Sequence, residues 1–322
     1  MPASKKPYRF LVTAVNGDLG EAAAKVLGDA FVQAEVYGTD AEDLWPGRFF
    51  CSSVTEVPRG DEPEYLDRLS EIILSLEITH LVPCSDMEIL ALAKAGAHTA
   101  FPCKVIMPQD HLVITFVDKW LTHQWLDPRG FPVPRTTLLT RATKEWLPMI
   151  AKPRKGSGSM GIFEVGSESL LNGLKEEFGD SYVAQEHLGQ ATPEYTCALV
   201  ACGGKAHHSV FRRKLDAGRT VMMSARQFPE ISSVINDFIK ATSLDGPLNI
   251  QMKFGENGPK IFEVNPRLSS TVRMRHALGF RDLEWVIKAG ESSAELPDVT
   301  VPYGEIVYRI SEERIRPEGG EK

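Results

Sequence analysis

Between Tyr8 and Met107 short apolar runs alternate with longer amphipathic ones, and this alternation limits the fold more than any other feature of the chain. Residues 9–15, 34–38, 80–84 and 104–107 read as strands, while residues 19–30, 64–77 and 86–98 read as helices. Strands separated by helices are joined by crossovers, so the sheet is expected to be parallel with helices on both faces. Ligands on such sheets bind at the carboxyl ends of the strands, which marks residues 16–20 and 84–88 as the rim of a site.

Past residue 107 the pattern changes. Residues 108–134 read as a helical connector that ends in Asp127-Pro128-Arg129-Gly130 and Phe131-Pro132-Val133-Pro134, a place for a domain boundary. Strand-like segments then follow at 149–152, 161–165, 182–188, 194–201, 205–214, 220–225, 249–254 and 260–264, with helices at 168–178 and 231–243. This half is expected to be α+β with antiparallel sheets. Residues 311–322 form a charged, Gly-rich tail expected to fray.

Composition narrows the partners. The 322 residues suffice for two or three packed subdomains, and 25% charged with 43% hydrophobic residues is the balance of a soluble globular protein. A net charge of −7, from 36 basic and 43 acidic residues, gives no footprint for nucleic acid, so a small molecule is the expected partner. The apolar stretch 10–15 behind Lys5 and Lys6 stops at Asn16-Gly17-Asp18, too short for a signal core, and no run reaches bilayer-spanning length. Cys51, Cys84, Cys103, Cys197 and Cys202 are scattered, as expected of reduced core residues in a cytoplasmic protein.

Three segments carry chemistry. In the first, Asn249-Ile-Gln-Met-Lys-Phe254 runs through Gly255-Glu-Asn-Gly-Pro259 into Lys260-Ile-Phe-Glu-Val-Asn-Pro-Arg267. A five-residue loop centred on Asn257 would set Gln251 opposite Glu263 and Asn249 opposite Asn265, with Ile250, Met252, Phe254, Phe262 and Val264 on the other face. A carboxylate between amide oxygens suits Mg²⁺ whose remaining positions are filled by phosphate and water, although a hairpin with a solvated polar face has the same alternation. The second segment, Ile150-Ala-Lys-Pro-Arg-Lys-Gly-Ser-Gly-Ser-Met-Gly161, is a strand entering a loop whose glycines let main-chain N–H groups approach phosphate, with Lys152 as a point charge. A flexible connector reads the same way. The third is Tyr182-Val-Ala-Gln-Glu-His-Leu-Gly189 followed by Glu194-Tyr195-Thr196, which can present main-chain groups to a purine edge and a carboxylate to ribose, or be an edge strand with solvent-facing acids.

In this order the segments resemble the ATP-grasp superfamily, and within it the synthetase domains of the carbamoyl phosphate synthetase large subunit and stand-alone carboxylate–amine ligases. The resemblance rests on Asp118-Lys119, Lys152 with its Gly-rich loop, Gln185-Glu186, Glu194, Gln251 and Glu263-Val-Asn-Pro-Arg267, and covers residues 8–290. It implies a Rossmann-like pre-ATP-grasp domain over residues 1–107 and a two-subdomain ATP-grasp fold over 108–310, divided into 135–188 with the Gly-rich loop and 189–310 with the Mg²⁺ hairpin. It further implies that Lys119, Lys152 and the loop residues Gly156, Ser157, Gly158 and Gly161 meet ATP phosphates, and that Gln185, Glu186 and Leu188 line the adenine edge. Ile150, Leu188 and Phe262 would sandwich the base, and Glu194 would bind ribose. Gln251, Glu263 and Asn265 would hold two Mg²⁺, or Mn²⁺ in their place, and Arg267 would steady the transferred phosphoryl group. Arg212 and Lys214 lie in a cation-rich loop that either clamps substrate or is a solvated hairpin; Arg273, Arg275 and His276 belong to a following helix of which one member could face substrate.

The turn at Asn16–Gly20 lacks the first glycine of a dinucleotide fingerprint, which sets the dehydrogenase reading aside. The chain contains no glutaminase sequence, second synthetase copy or biotin-carrier segment, so the resemblance implies a ligase that joins a small carboxylate to an amine through an acyl phosphate. The alternatives are a kinase-like ATP-grasp protein and a nucleotide-binding sensor or subunit. The acid, the amine and the oligomeric state, a homo-oligomer among the possibilities, are not legible.

Overall fold

The computed structural model describes residues 7–43, 46–156, 158, 160–189, 192–292, 296–297 and 301–315. Its first third is the expected parallel sheet, built from β1 (Arg9–Val12), α1 (Asp18–Ala30), β2 (Glu35–Asp40), β3 (Ser53–Glu56), α2 (Tyr65–Ser75), β4 (His80–Val82), α3 (Asp86–Lys94), α4 (Ala97–Ala100) and β5 (Lys104–Val105). The strands run parallel in the order β3-β2-β1-β4-β5. The helix expected over 86–98 breaks at Gly96, which takes φ +65° and starts α4. Strand β3 was not expected, because its half-exposed Ser-Val-Thr-Glu has no apolar run to mark it.

Two connector helices, α5 (Asp110–Phe116) and α6 (Lys119–Leu126), lead to the second sheet. The carboxylate of Asp118 caps α6 by accepting from the N–H groups of Trp120 and Leu121, which fixes Lys119 at the first helical position. The second sheet comprises β6 (Thr136–Leu138), β7 (Met149–Pro153), β8 (Phe163–Val165), α7 (Glu168–Phe178) and β9 (Tyr182–Glu186), antiparallel in the order β6-β9-β7-β8. The third consists of β10 (Glu194–Cys202), β11 (Lys205–Asp216), β12 (Arg219–Ala225), α8 (Pro229–Thr242), β13 (Gly246–Gly255), β14 (Gly258–Asn265), α9 (Val272–Ala277), α10 (Asp282–Ser292) and β15 (Ile306–Tyr308). Its order is β14-β13-β10-β11-β12-β15, antiparallel throughout.

One face of this third sheet packs on α8 through Cys197, Leu199, Ile250, Met252 and Val264. The other face serves two ends. At one end Ala198, Val200, Phe211 and Met223 join α1, α9 and α10 in a core continuous with Phe10 and Val12 of the parallel sheet. At the other end the same face turns polar, and the second sheet lies opposite it. No helix among the described residues is long and apolar enough to cross a membrane.

The hairpin β13–β14 corrects the expected turn. Asn249 pairs with Asn265 and Gln251 with Glu263 as read, but beyond Gln251 the register shifts, so that Met252 faces Ile261 and Gly255 faces Gly258. The loop is therefore Glu256-Asn257 alone, and the residue in excess, Phe262, is a β-bulge. Ile261, 2% exposed, takes the core position that strict alternation had assigned to Phe262.

Candidate active site between the second and third sheets

The floor of the site follows from strand register. Glu194 on β10 lies directly opposite Arg213 on β11 and Lys253 on β13, and Gln251 lies opposite both Thr196 and Glu263. Cross-strand neighbours of this kind are within reach of long side chains. Arg213 Nη2 donates to Glu194 Oε2 at 2.8 Å and to Gln251 Oε1 at 2.8 Å, and Lys253 Nζ stands 3.2 Å from the other Glu194 oxygen. Burial alone would raise the Glu194 carboxyl, yet Arg213 and Lys253 hold it below the ordinary carboxylate value.

The bulge connects floor to roof. It turns the Phe262 carbonyl toward β7, where Lys152 Nζ donates to it at 3.0 Å and to Gln185 Oε1 of β9 at 2.8 Å. Gln185 in turn donates to Thr136 Oγ1 on β6. Lys152 is 4% exposed, and loss of hydration pulls its pKa down to about 7 against the opposing attraction of Glu263. Lys119 reaches the same place from α6. It donates to the Gly156 carbonyl at 2.7 Å and stands 3.5 Å from Glu263. Its own helix end is tied to the roof, because Arg154 clamps Asp118 with contacts of 2.7 to 3.1 Å.

At the far end Glu186 accepts from the Arg135 N–H at 3.0 Å and from Lys260 Nζ at 2.8 Å to each oxygen. Although desolvation pushes its pKa up, these donors bring it below the usual range. The Glu186 N–H is bonded to the Arg135 carbonyl, so the side chain and N–H both face the protein scaffold.

Lys119, Ile150, Lys152, Gly156, Gln185, Glu186, Leu188, Glu194, Gln251, Phe262 and Glu263 thus line a single cavity of about 290 Å³. Asn265 lies beside it in a small hollow shared with Lys119, Gly156, Glu263 and Asp86. Arg267 is turned to the parallel sheet, its Nε 2.5 Å from Asp86 at the start of α3, and that carboxylate raises its pKa although burial opposes it. Gly156, Gly158 and Gly161 all take positive φ, but of the three only Gly156 lines the cavity; Ser157 lies outside the described residues.

Arg212 and Lys214 are corrected. Both are exposed on the α8 side of β11, and the alternate positions Arg213 and Leu215 face the cavity instead. Of the helix residues, Arg273 is exposed and 3.9 Å from Asp29, while Arg275 is fully buried against Asp282, Ser269 and Thr271 and fastens the loop after Arg267. His276, half-buried on the same helix, does not line the cavity either. Sequence reasoning missed Arg213, Lys253, Glu164 and His187 in the lining, together with the apolar Met160 and Ile162.

No three His, Cys, Asp or Glu side chains among the described residues converge as a metal cage. The oxygen set is one carboxylate, Glu263, in register with the Gln251 amide and one step along the hairpin from Asn265. Such hard donors fit Mg²⁺ when phosphate oxygens supply the remaining ligands and charge.

Two antiparallel sheets that enclose a polar cavity, preceded by a parallel sheet, make up the ATP-grasp fold. The model of the family described as "ATP-grasp in the biosynthetic pathway with Ter operon" matches residues 180–312, which include Glu186, Glu194 and the whole β13–β14 hairpin. The resemblance to the ATP-grasp superfamily and the fold class it implies are borne out. N5-carboxyaminoimidazole synthetase from Staphylococcus aureus, solved with ADP, superposes with a TM-score of 0.71 at 13% identity, over 92% of this chain and 80% of that one. The biotin carboxylase domain of 2-oxoglutarate carboxylase from Hydrogenobacter thermophilus, solved with MgADP, ADP and bicarbonate, gives 0.73 at 14% over 94% and 74%. L-amino acid ligase from Bacillus licheniformis gives 0.70 at 15% over 89% and 74%. At these identities the likeness is one of fold. Among curated sequences the uncharacterized protein y4rH of Sinorhizobium fredii (strain NBRC 101917 / NGR234) is 29% identical over 184 residues, 47% of this chain. The match spans 36% of that protein, so this chain accounts for about a third of its length.

Proposed function

We propose that the protein is an ATP-dependent carboxylate–amine ligase. The observation that carries the reading is the convergence of Lys119, Lys152, Gln185, Glu194, Gln251 and Glu263, drawn from both antiparallel sheets and the connector, on one cavity. Structurally similar proteins were solved with ADP or MgADP, and one is a ligase of amino acids by its description.

In this reading adenine lies between Ile150, Leu188 and Phe262 against the main chain of 186–188, and Glu194 takes the ribose hydroxyls. Lys119 and Lys152 neutralise the phosphates, and the Gly-rich loop folds over them with its main-chain donors. Gln251, Glu263 and Asn265 would hold Mg²⁺, which when bound offsets charge on the transferred phosphoryl group. Arg267, already oriented by Asp86, steadies that group or the acyl phosphate. A carboxylate oxygen attacks the γ-phosphorus, ADP leaves, and the amine then attacks the acyl carbon and expels phosphate. Closure of the loop keeps water from the intermediate. No side-chain nucleophile is needed.

The test is a screen of carboxylic acids with Mg-ATP and hydroxylamine as the trapping amine. The true acid is expected to give a hydroxamate in step with ADP release. ADP release accompanied by a stable phosphorylated product, with neither hydroxamate nor amide, would replace the ligase by a kinase. Nucleotide binding with no acid-dependent turnover would leave a sensor.

A further inference from the structure

Arg213 is fixed by three strands at once. Its Nη2 donates to Glu194 Oε2 and Gln251 Oε1, both at 2.8 Å, and its Nε donates to Glu194 at 3.2 Å. Lys253 closes the far side of Glu194, and Lys119 stands 3.5 Å from Glu263. The Glu194, Gln251 and Glu263 oxygens that the proposed reaction needs for ribose and for a divalent cation are thus each in the company of a cationic side chain. We propose that Arg213 is a positioning residue that keeps Gln251 and Glu194 closed to a bare divalent cation, so that metal enters only together with a nucleotide polyphosphate, to which the guanidinium transfers.

The reasoning is one of charge. A cation at about 2.1 Å from Gln251 Oε1 would share that oxygen with a guanidinium, and the two positive groups would repel across a few ångströms. Only one carboxylate, Glu263, offsets the cation, and Lys119 already draws on it. A polyphosphate relieves both difficulties. It brings the missing negative charge, and its oxygens match the fork of a guanidinium, so Arg213 can leave Gln251 without being left unpaired. Glu194 is then released from Arg213 for the ribose hydroxyls while Lys253 still holds its other oxygen.

The inference rests on the nucleotide reading of the cavity. Its test titrates the full chain with Mn²⁺, reading free Mn²⁺ by electron paramagnetic resonance, with and without ADP. For the wild type we expect weak Mn²⁺ binding alone and a tightening of roughly tenfold or more with ADP, matched by an equal tightening of ADP by Mn²⁺. Arg213→Met is expected to bind Mn²⁺ without ADP about tenfold more tightly than the wild type and to bind ADP more weakly, so that the coupling shrinks. A merely structural arginine would not raise metal affinity when removed. Equal Mn²⁺ affinity of the wild type with and without ADP, or unchanged Mn²⁺ affinity in the variant, overturns the proposal. If Arg213→Met fails to fold, Arg213→Lys decides. It keeps the ion pair with Glu194 but loses the second arm to Gln251, so metal affinity without ADP must rise for the proposal to stand. A wild type that binds ADP in neither condition refutes the nucleotide reading itself, a different outcome from loss of the Arg213 effect.

Discussion

Glu263→Gln is expected to lower turnover by on the order of a hundredfold or more while the protein folds and melts almost as before. The change keeps the size of the side chain and its hydrogen-bonding capacity but removes the only carboxylate on the cavity side of the β13–β14 hairpin. Its partner Lys119 loses an ion pair at 3.5 Å, longer than a direct hydrogen bond, but keeps its bond to the Gly156 carbonyl and gains the Gln amide oxygen as an acceptor, so the fold should survive the change. Under the proposed function nucleotide binding should weaken far less than turnover, because Lys152 and the proposed base and ribose contacts are untouched. The next residue supplies the control. Val264 points to the opposite face into the core with Ile250 and Met252, and is 3% exposed. Val264→Ala should cost about 1 to 3 kcal/mol of stability with turnover nearly intact. Thermal unfolding and steady-state ADP release at saturating Mg-ATP separate the two. An active Glu263→Gln, or a Val264→Ala that loses catalysis alone, would sink the assignment of the two faces.

Lys152→Met should weaken nucleotide binding and turnover together, again by on the order of a hundredfold, and should also abolish a pH dependence. The side chain is buried and its pKa is pulled down to about 7, against the ordinary 10.5 of a lysine in the unfolded chain. Between those values the unfolded chain binds a proton that the folded one does not, so this group makes stability rise with pH across the window. Below about 7 both states are protonated, and the folded protein carries a buried ammonium at full cost. The stability of Lys152→Met relative to wild type should therefore be most favourable near pH 6 and decline toward pH 10, by a few kcal/mol in all. Polyphosphate beside the ammonium favours its charged form, so nucleotide binding at pH 8 should take up a proton. Calorimetry in buffers of different ionisation enthalpy reads that proton directly. The same lack of proton uptake in wild type and variant would show that Lys152 does not titrate in the site.

The parallel sheet and most strands of the other two were legible because their buried positions repeat with a clear period. Strands β3 and β6 were not, since each is a short edge segment without an apolar run, and β15, although it reads Ile306-Val307-Tyr308, is a three-residue edge strand with no buried face to set a period. The pairing of Gln251 with Glu263 agrees with the sequence expectation although the turn differs from it. A two-residue loop and one extra strand residue give the same pairing at the site as a longer loop, and alternation alone does not distinguish them. Arg213, rather than Arg212 or Lys214, is legible as the cavity-facing position of this hairpin. Gly203-Gly204 is a two-residue hairpin turn with positive φ at both positions, and it pairs Cys202 with Lys205. Counting back along both strands from that turn sets Arg213 opposite Glu194. The clasp between Arg213 and Gln251 was beyond reach, since it needs the order of three strands and not only the turn between two.

The bulge at Phe262 has the opposite logic to an ordinary strand residue. Deleting one residue from a regular strand turns every following side chain to the other face. Here the ladder is already in phase on both sides of the surplus residue, with Met252 opposite Ile261 and Gln251 opposite Glu263. Without Phe262 the two halves would join as an uninterrupted hairpin, Ile261 and Val264 still in the core and Glu263 still beside Gln251. What would disappear is the carbonyl that accepts from Lys152 and one wall of the cavity. Phe262 is thus an addition that the sheet does not require, and what it adds is all on the cavity side: a carbonyl for the buried lysine and a wall for the cavity.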